Sequence, residues 1–198
     1  MTQDILSDRD LNVIFRQARS FKGWQDTPVS EITIRAMYDL LRWGPTAFNS
    51  SPARFVMVQS DEAKQKLADC AIKSNKEKIL SAPFTVIVGS DQKFYENLPK
   101  LFQSYQGASA LYKDNDALAA ETAFRNSSLQ GGYMIIAARS LGLDCCPMSG
   151  FDGDAVRAAF FKGTDCTVNF ICSMGYGDAV SLPERDDRLS FDEACEIV

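Results

Sequence analysis

Apolar residues along the chain recur with two periods, and each period predicts elements. Between Asp8 and Ala18 the apolar positions are Leu11, Ile14, Phe15 and Ala18, the stripe of an amphipathic helix, with Ser7 placed to cap it. From Ser30 to Trp43 the same spacing sets Ile34, Met37, Tyr38 and Leu41 on one face. Gly44 and Pro45 should end that helix, Gly44 by a left-handed turn and Pro45 because it cannot continue one. RFVMV (Arg54 to Val58) and FTVIVG (Phe84 to Gly89) predict strands, with the helical patterns DEAKQKLADCAI and SNKEKILSA between them. The longest helical pattern runs from Ala117 to Leu141, and Gly142 closes it. Its centre, LQGGYMIIAA, is apolar on most sides, which predicts a largely buried helix. A short strand around Leu143 to Cys146, a helix from Asp154 to Phe161 and a strand from Val168 to Gly175 follow. Ser190 with Glu193 forms a capping box ahead of a last short helix. Residues 96–116 carry few periodic signals and are expected to form a mobile excursion. Strands separated by helices, without repeat or linker, predict one mixed α/β domain over residues 1–198.

Composition narrows the chemistry. Apolar residues are 45% and charged residues 24%, as in an ordinary globular protein. Lys plus Arg is 21 and Asp plus Glu is 26, a net charge of −5 with no basic run, which argues against nucleic acid as a partner. No apolar stretch approaches the ~20 residues of a membrane helix, so no membrane partner is expected. The acidic start, MTQDILSDRD, lacks the basic segment of a secretory signal. There is no His, which removes Ser-His-Asp and Cys-His catalysis and every imidazole metal ligand. The six cysteines form no C-x-x-C pair. They are expected to be small buried thiols in a reducing, cytoplasmic setting, with no metal bound.

No G-x-x-x-x-G-K-[ST] loop and no G-x-G-x-x-G fingerprint is present; Gly175-Tyr176-Gly177 lacks the third glycine and reads as a turn. Polar residues instead gather in five separated places. These are Ala18 to Trp24 with Arg19, Ser20 and Lys22; the loop Gly44 to Pro52; Asn75 with Lys78, one helical turn apart; Pro147 to Asp152; and Arg185 with Arg188. Singly, each also reads as a solvated loop or surface cation.

Together and in this order they resemble the nitroreductase family of flavin enzymes, within it the branch that contains malonic semialdehyde reductase. WGPT (Trp43 to Thr46), SPARF (Ser51 to Phe55), FYENLPKLF (Phe94 to Phe102) and ETAFRNSSLQ (Glu121 to Gln130) carry the likeness. GLDCCPMSGFD (Gly142 to Asp152), GYGD (Gly175 to Asp178) and RLSFDEAC (Arg188 to Cys195) extend it over nearly the whole chain. The resemblance implies an α+β, three-layer fold with a mixed, mostly antiparallel sheet flanked by helices, in an interwound homodimer that binds FMN at its interface. It assigns Arg19, Ser20 and Lys22 to the FMN phosphate and ribityl chain, with Arg188 and its companion Arg185 closing over the phosphate. Pro45, Thr46, Ala47 and Asn49 would reach the flavin from the partner subunit. Asn75 and Lys78 would meet the pyrimidine side of the ring, and Ser149 and Gly150 would present backbone N–H near N5. No side chain is assigned as catalytic, because the flavin carries the hydride, with Lys78 in support. Two positions depart from the family pattern: Ala18 precedes Arg19 where a second cation is common, and Ser51 stands where Gln often follows the loop. The implied activity is a ping-pong NADH- or NADPH-dependent reduction, of 3-oxopropanoate to 3-hydroxypropanoate or of nitroaromatics, quinones and enals. A flavin-binding dimer without turnover is the non-enzymatic alternative.

Overall fold

The computed structural model describes residues 4–198, apart from the side chain of Ser181. Met1, Thr2 and Gln3 of the acidic start lie outside the described residues. Helix α1 (Asp8–Leu11) begins at a capping box in which Ser7 and Asp10 bond each other's backbone N–H. It continues as a π turn over Asn12–Arg16 rather than as an α-helix to Ala18. The wider winding breaks the predicted stripe, and Phe15 is left exposed. Helix α2 (Glu31–Leu41) is capped by the Ser30 hydroxyl and buries Ile34, Met37 and Leu41, as the spacing predicts, whereas Tyr38, expected on the same face, is exposed. Gly44 does not supply a left-handed turn; the left-handed residues nearby are Phe48, Asn49 and Ser51. Gly44 is small for another reason: a Cβ there would lie 2.7 Å from the ring of Tyr133.

Strands β1 (Ala53–Val58), β2 (Phe84–Asp91), β3 (Asp144–Met148) and β4 (Cys166–Gly175) form one sheet in the order β1-β2-β4-β3. Every strand pair is antiparallel. The parallel component among the described residues is the isolated bridge Ser20–Cys145. The fold is therefore α+β, as the family likeness implies, and not the βαβ alternation that the order of elements alone suggests.

Helices α3 (Asp61–Asp69), α4 (Lys73–Leu80) and α8 (Gly153–Phe160) cover one face of the sheet; α2 and α7 (Asp116–Ser140) cover the other. The alternation of β2 decides this. Phe84, Val86 and Val88 meet Met37, Leu41 and Met134, whereas Ile87 meets Leu67, Ile79 and Val156. The sheet is buried on both faces, so FTVIV reads as a continuous apolar run. Gly142, at φ +78°, ends α7 as predicted. The chain finishes with a short helix α9 (Phe191–Ala194) behind the Ser190–Glu193 capping box.

Residues 96–116, which the pattern leaves without an element, contain α5 (Leu98–Leu101) and α6 (Ala110–Lys113). Leu98, Ala108 and Tyr112 of this stretch bury themselves with Phe94, Tyr95, Ala119 and Ala123. The segment packs through edge-on aromatic pairs such as Phe94–Tyr112. Elements this short show no period, which hides them from the sequence.

Candidate functional site

Both ends of the chain build one cavity. Arg19 donates to the carbonyl of Pro183 at 2.6 Å, and Arg185 donates back to the carbonyl of Ala18 at 2.9 Å. These reciprocal bonds tie the segment after the π turn to the C-terminal tail. Between them lies a hollow of about 270 Å³ lined by Arg19, Ser20, Lys22, Arg139, Arg185 and Arg188, with Glu184 and Asp186 at its side. Five cations against two carboxylates leave a positive excess of three, a setting for a multiply charged anion. Arg139 was not among the sequence candidates. Its one signal is an arginine in the last turn of an apolar helix, a position that favours a cation for helix-dipole reasons alone.

A second cluster forms where the chain leaves β3. The amide of Asn75 donates to the carbonyl of Gly150 at 3.1 Å, and Lys78 donates to the side-chain oxygen of Asn75 at 2.9 Å. The bridge Ala71–Phe151 and the bond from Ile72 N–H to Gly150 O hold the two segments side by side. Trp24 donates its indole N–H to the carbonyl of Lys78, so the N-terminal segment reaches this cluster as well. Lys78 is partly buried rather than fully turned out, and its ammonium is oriented by Asn75. Ser149 is exposed and Gly150 half-buried at the rim. Cys146, buried on β3, senses both clusters. Burial pushes its thiol pKa up, while the charges of Lys78 and Lys22 pull it down. Thus Arg19, Ser20, Lys22, Asn75, Lys78, Ser149, Gly150, Arg185 and Arg188 gather around the β3 edge of the sheet.

The loop 45–49 is elsewhere. It sits before β1, at the opposite edge. Ala47 N–H donates to the side-chain oxygen of Asn126 and Ala53 N–H to that of Gln130, both at 2.8 Å. Asn126 and Gln130 are one turn apart on α7, and both are buried. They anchor the two ends of the loop, and the sequence shows them as polar positions in an otherwise apolar stripe. Within the loop Thr46 accepts from Ser51 N–H at 3.1 Å, and Asn49 spends its amide on the Leu101 carbonyl at 3.0 Å. Pro45 and Ala47 are exposed. From Asn126 to Arg139 is about 20 Å along α7, at ~1.5 Å per residue. One chain therefore does not bring Pro45, Thr46, Ala47 and Asn49 to the β3-edge clusters.

Among the described residues no group of His, Cys, Asp or Glu could hold a metal ion, and no helix is long and apolar enough to cross a membrane. All six cysteines are free thiols. Cys145, Cys146, Cys166 and Cys172 are buried, as expected of them; Cys195 is exposed and Cys70 half-exposed.

A three-layer α+β fold thus carries a cation-lined hollow at one sheet edge. Residues 15–176 match the nitroreductase family, and the chain belongs to it. A protein of Polynucleobacter asymbioticus provisionally named NADH dehydrogenase/NAD(P)H nitroreductase is 48% identical, covering 98% of both chains. One of the same name from a Caulobacter strain is 53% identical over 95% of this chain and 96% of its own. Among solved structures, a nitroreductase-type protein from Bacillus subtilis superposes with a TM-score of 0.89 at 22% identity, covering 97% of this chain and all of its own. A nitroreductase-type protein from Exiguobacterium sibiricum, solved in complex with FMN, superposes with a TM-score of 0.85 at 19% identity over the full length of both.

Proposed function

We propose that this chain is an FMN-dependent NAD(P)H oxidoreductase, one cofactor-binding domain over residues 1–198 that works as a homodimer. The observation that carries the proposal is the cation-lined hollow shared by the two chain ends. Its excess of positive charge suits a phosphate dianion. The Arg139 Nε is buried without a hydrogen-bond partner among the described residues, which suits a site completed by a ligand. When bound, FMN supplies hydride transfer between a nicotinamide and an acceptor. Arg19, Ser20, Lys22, Arg185 and Arg188 hold the phosphate end. Asn75 fixes the Lys78 ammonium where negative charge collects on a reduced ring, and Gly150 allows close backbone approach to it. No histidine is needed for any of these tasks. Six free thiols accord with a reducing, cytoplasmic location.

Two features support the dimer. The loop 45–49 is remote from the other flavin-facing residues of its own chain, so a second copy is required to bring it there. The structure also leaves Tyr38 and Trp43 exposed at and beyond the end of α2, and Phe124, Leu129 and Tyr133 on α7, a run of large apolar side chains that one chain does not cover.

For the acceptor we propose 3-oxopropanoate, supported by the likeness of GLDCCPMSGFD and RLSFDEAC to the malonic semialdehyde reductase branch. The names of the relatives favour a second reading, a broader reductase of nitroaromatics. Purified protein should be yellow with one FMN per chain. Anaerobic reduction by NADH or NADPH followed by a panel of 3-oxopropanoate, a nitroaromatic, a quinone and an enal ranks the acceptors by kcat/KM. Colourless protein that takes up no FMN overturns the reading as a whole. A monomer that retains FMN and activity overturns the dimer.

A further inference from the structure

We infer that Arg139 is a phosphate ligand of the bound flavin, and that it reaches the anion from the floor of the hollow, where the chain-end arginines close over the top. The inference rests on the flavin reading above. Arg139 is placed by α7, the buried helix of the fold, five residues beyond the buried Met134 and next to the buried Ala137 and Ala138. It is therefore fixed by the core, unlike Arg185 and Arg188, which ride on the exposed tail. One of its terminal nitrogens, Nη1, donates to the carbonyl of Ile14 at 3.1 Å, which locks the guanidinium plane beneath the N-terminal segment.

Nε is buried and has no acceptor among the described residues, although nearly all buried donors in native proteins find one. Arg139 lines the same hollow as Arg19, Ser20 and Lys22. The guanidinium presents Nε and Nη as a planar fork that matches two oxygens of one phosphate. Three carboxylates lie near. Asp144 is close enough for the Arg139 charge to lower its pKa, but it already accepts from Gly177 N–H at 2.9 Å. Glu184 and Asp186 line the hollow from the tail. None of them bonds the buried Nε. A helix-terminal arginine that serves only the helix dipole has no need of a desolvated donor; one that receives an oxyanion does.

The test separates the phosphate from the rest of the flavin. The full chain, as purified, is equilibrated by dialysis against a concentration series of FMN and, separately, of riboflavin, which has the same ring without the phosphate. Wild type is compared with Arg139→Gln and Arg139→Lys, and the bound flavin is read by absorbance. The expected result for Arg139→Gln is FMN affinity weakened roughly 10- to 100-fold, the usual range for losing a charge-assisted contact, with riboflavin affinity changed less than about twofold. Arg139→Lys keeps the charge and loses the fork, so it should fall between. It also supplies the same FMN-to-riboflavin ratio if the Gln variant does not fold. Wild type that binds FMN, with variants that lose nothing or lose both flavins equally, overturns the inference and leaves the flavin reading standing. Wild type that binds neither flavin overturns both.

Discussion

Gly150 offers a strict test of how the ring-side cluster is built. A Cβ at this position would lie 2.4 Å from Ile72 Cδ1, 2.8 Å from Ile72 Cγ1 and 2.8 Å from Asn75 Nδ2. Non-bonded carbons prefer about 3.5–4.0 Å, so the closest overlap exceeds roughly 1 Å. The two neighbours differ in their freedom to retreat. Ile72 is 53% exposed, and its terminal methyl can swing into solvent. Asn75 is 6% exposed and engaged at both ends of its amide, by Gly150 O and by Lys78. Gly150→Ala should therefore cost about 2 kcal/mol, within the usual range for overpacking. At 2–4 °C per kcal/mol for a protein of this size, the melting temperature should fall by roughly 4–8 °C. Adding Ile72→Ala removes both isoleucine contacts and should recover about 1 kcal/mol, a coupling energy expected only of touching residues. The residual loss belongs to Asn75 and should appear as weaker flavin retention, because Lys78 moves with it. Thermal and urea unfolding of the four forms in the double-mutant cycle decides the matter. A Gly150→Ala protein that melts with wild type, or a penalty that Ile72→Ala leaves untouched, refutes the close contact.

Other outcomes follow from the same geometry. Lys78→Ala should lower the FMN reduction potential and slow reduction by NADPH about 100-fold, the usual loss for one electrostatic contact; both values unchanged with FMN still bound would return Lys78 to the surface. Asp152 caps α8 by accepting from Asp154 N–H and Ala155 N–H, both at 3.0 Å, so Asp152→Ala should cost ~1 kcal/mol in urea unfolding, and an equal midpoint would refute the cap. Burial raises the Asp144 pKa against the opposing Gly177 hydrogen bond and Arg139 charge. The folded state therefore binds the proton more readily than the unfolded one, and the stability penalty is present above the folded pKa and relieved as pH falls towards ~3.9. Wild type should gain on Asp144→Asn when urea midpoints at pH 7 and pH 4.5 are compared, and a constant difference would contradict the raised pKa.

Periodic elements were legible in the sequence, and the physical reason is the same in each case. The stripe Ile34, Met37, Leu41 and the long apolar pattern of α7 both bury against one sheet face, so core packing wrote their spacing into the chain. Where packing asks for something other than regular spacing, the structure departs from the pattern. Phe15 keeps the helical interval, but a π turn rotates it outward; Gly44 is a glycine because Tyr133 crowds it and not because its φ is positive. The antiparallel pairing of four strands separated by helices was likewise not visible in the order of elements, since register is fixed by long-range partners. The site followed the same rule. Asn75 and Lys78 could be paired because one helical turn joins them, whereas Arg19 bonds Pro183 and Arg185 bonds Ala18 across almost the whole chain.

Arg139 and the loop 45–49 show why a site built on this sheet escapes a residue-by-residue reading. Helix α7 spans the molecule beneath both sheet edges. Near its start Asn126 and Gln130 take hold of the loop that leads into β1; in its last turn Arg139 lies under the hollow beside β3. A single rigid element thus sets the distance between two halves of a binding surface, about 20 Å, too far for one short loop to bridge. The loop's own bonds hold it in that place: three left-handed residues, Phe48, Asn49 and Ser51, are stabilised by the Thr46–Ser51 bond and by Phe48 packing on Phe102. Strained backbone persists only where its surroundings over-determine it, and here Asn126, Leu101 and Phe102 of the same chain do so. In the proposed dimer the exposed aromatic residues Trp43 and Phe124 would supply contact area for the second copy. In such an arrangement cofactor binding and association are one equilibrium. Each FMN should raise the dimer's resistance to dilution, and each dissociated subunit should lose its flavin, the linkage expected when a ligand binds only the assembled state.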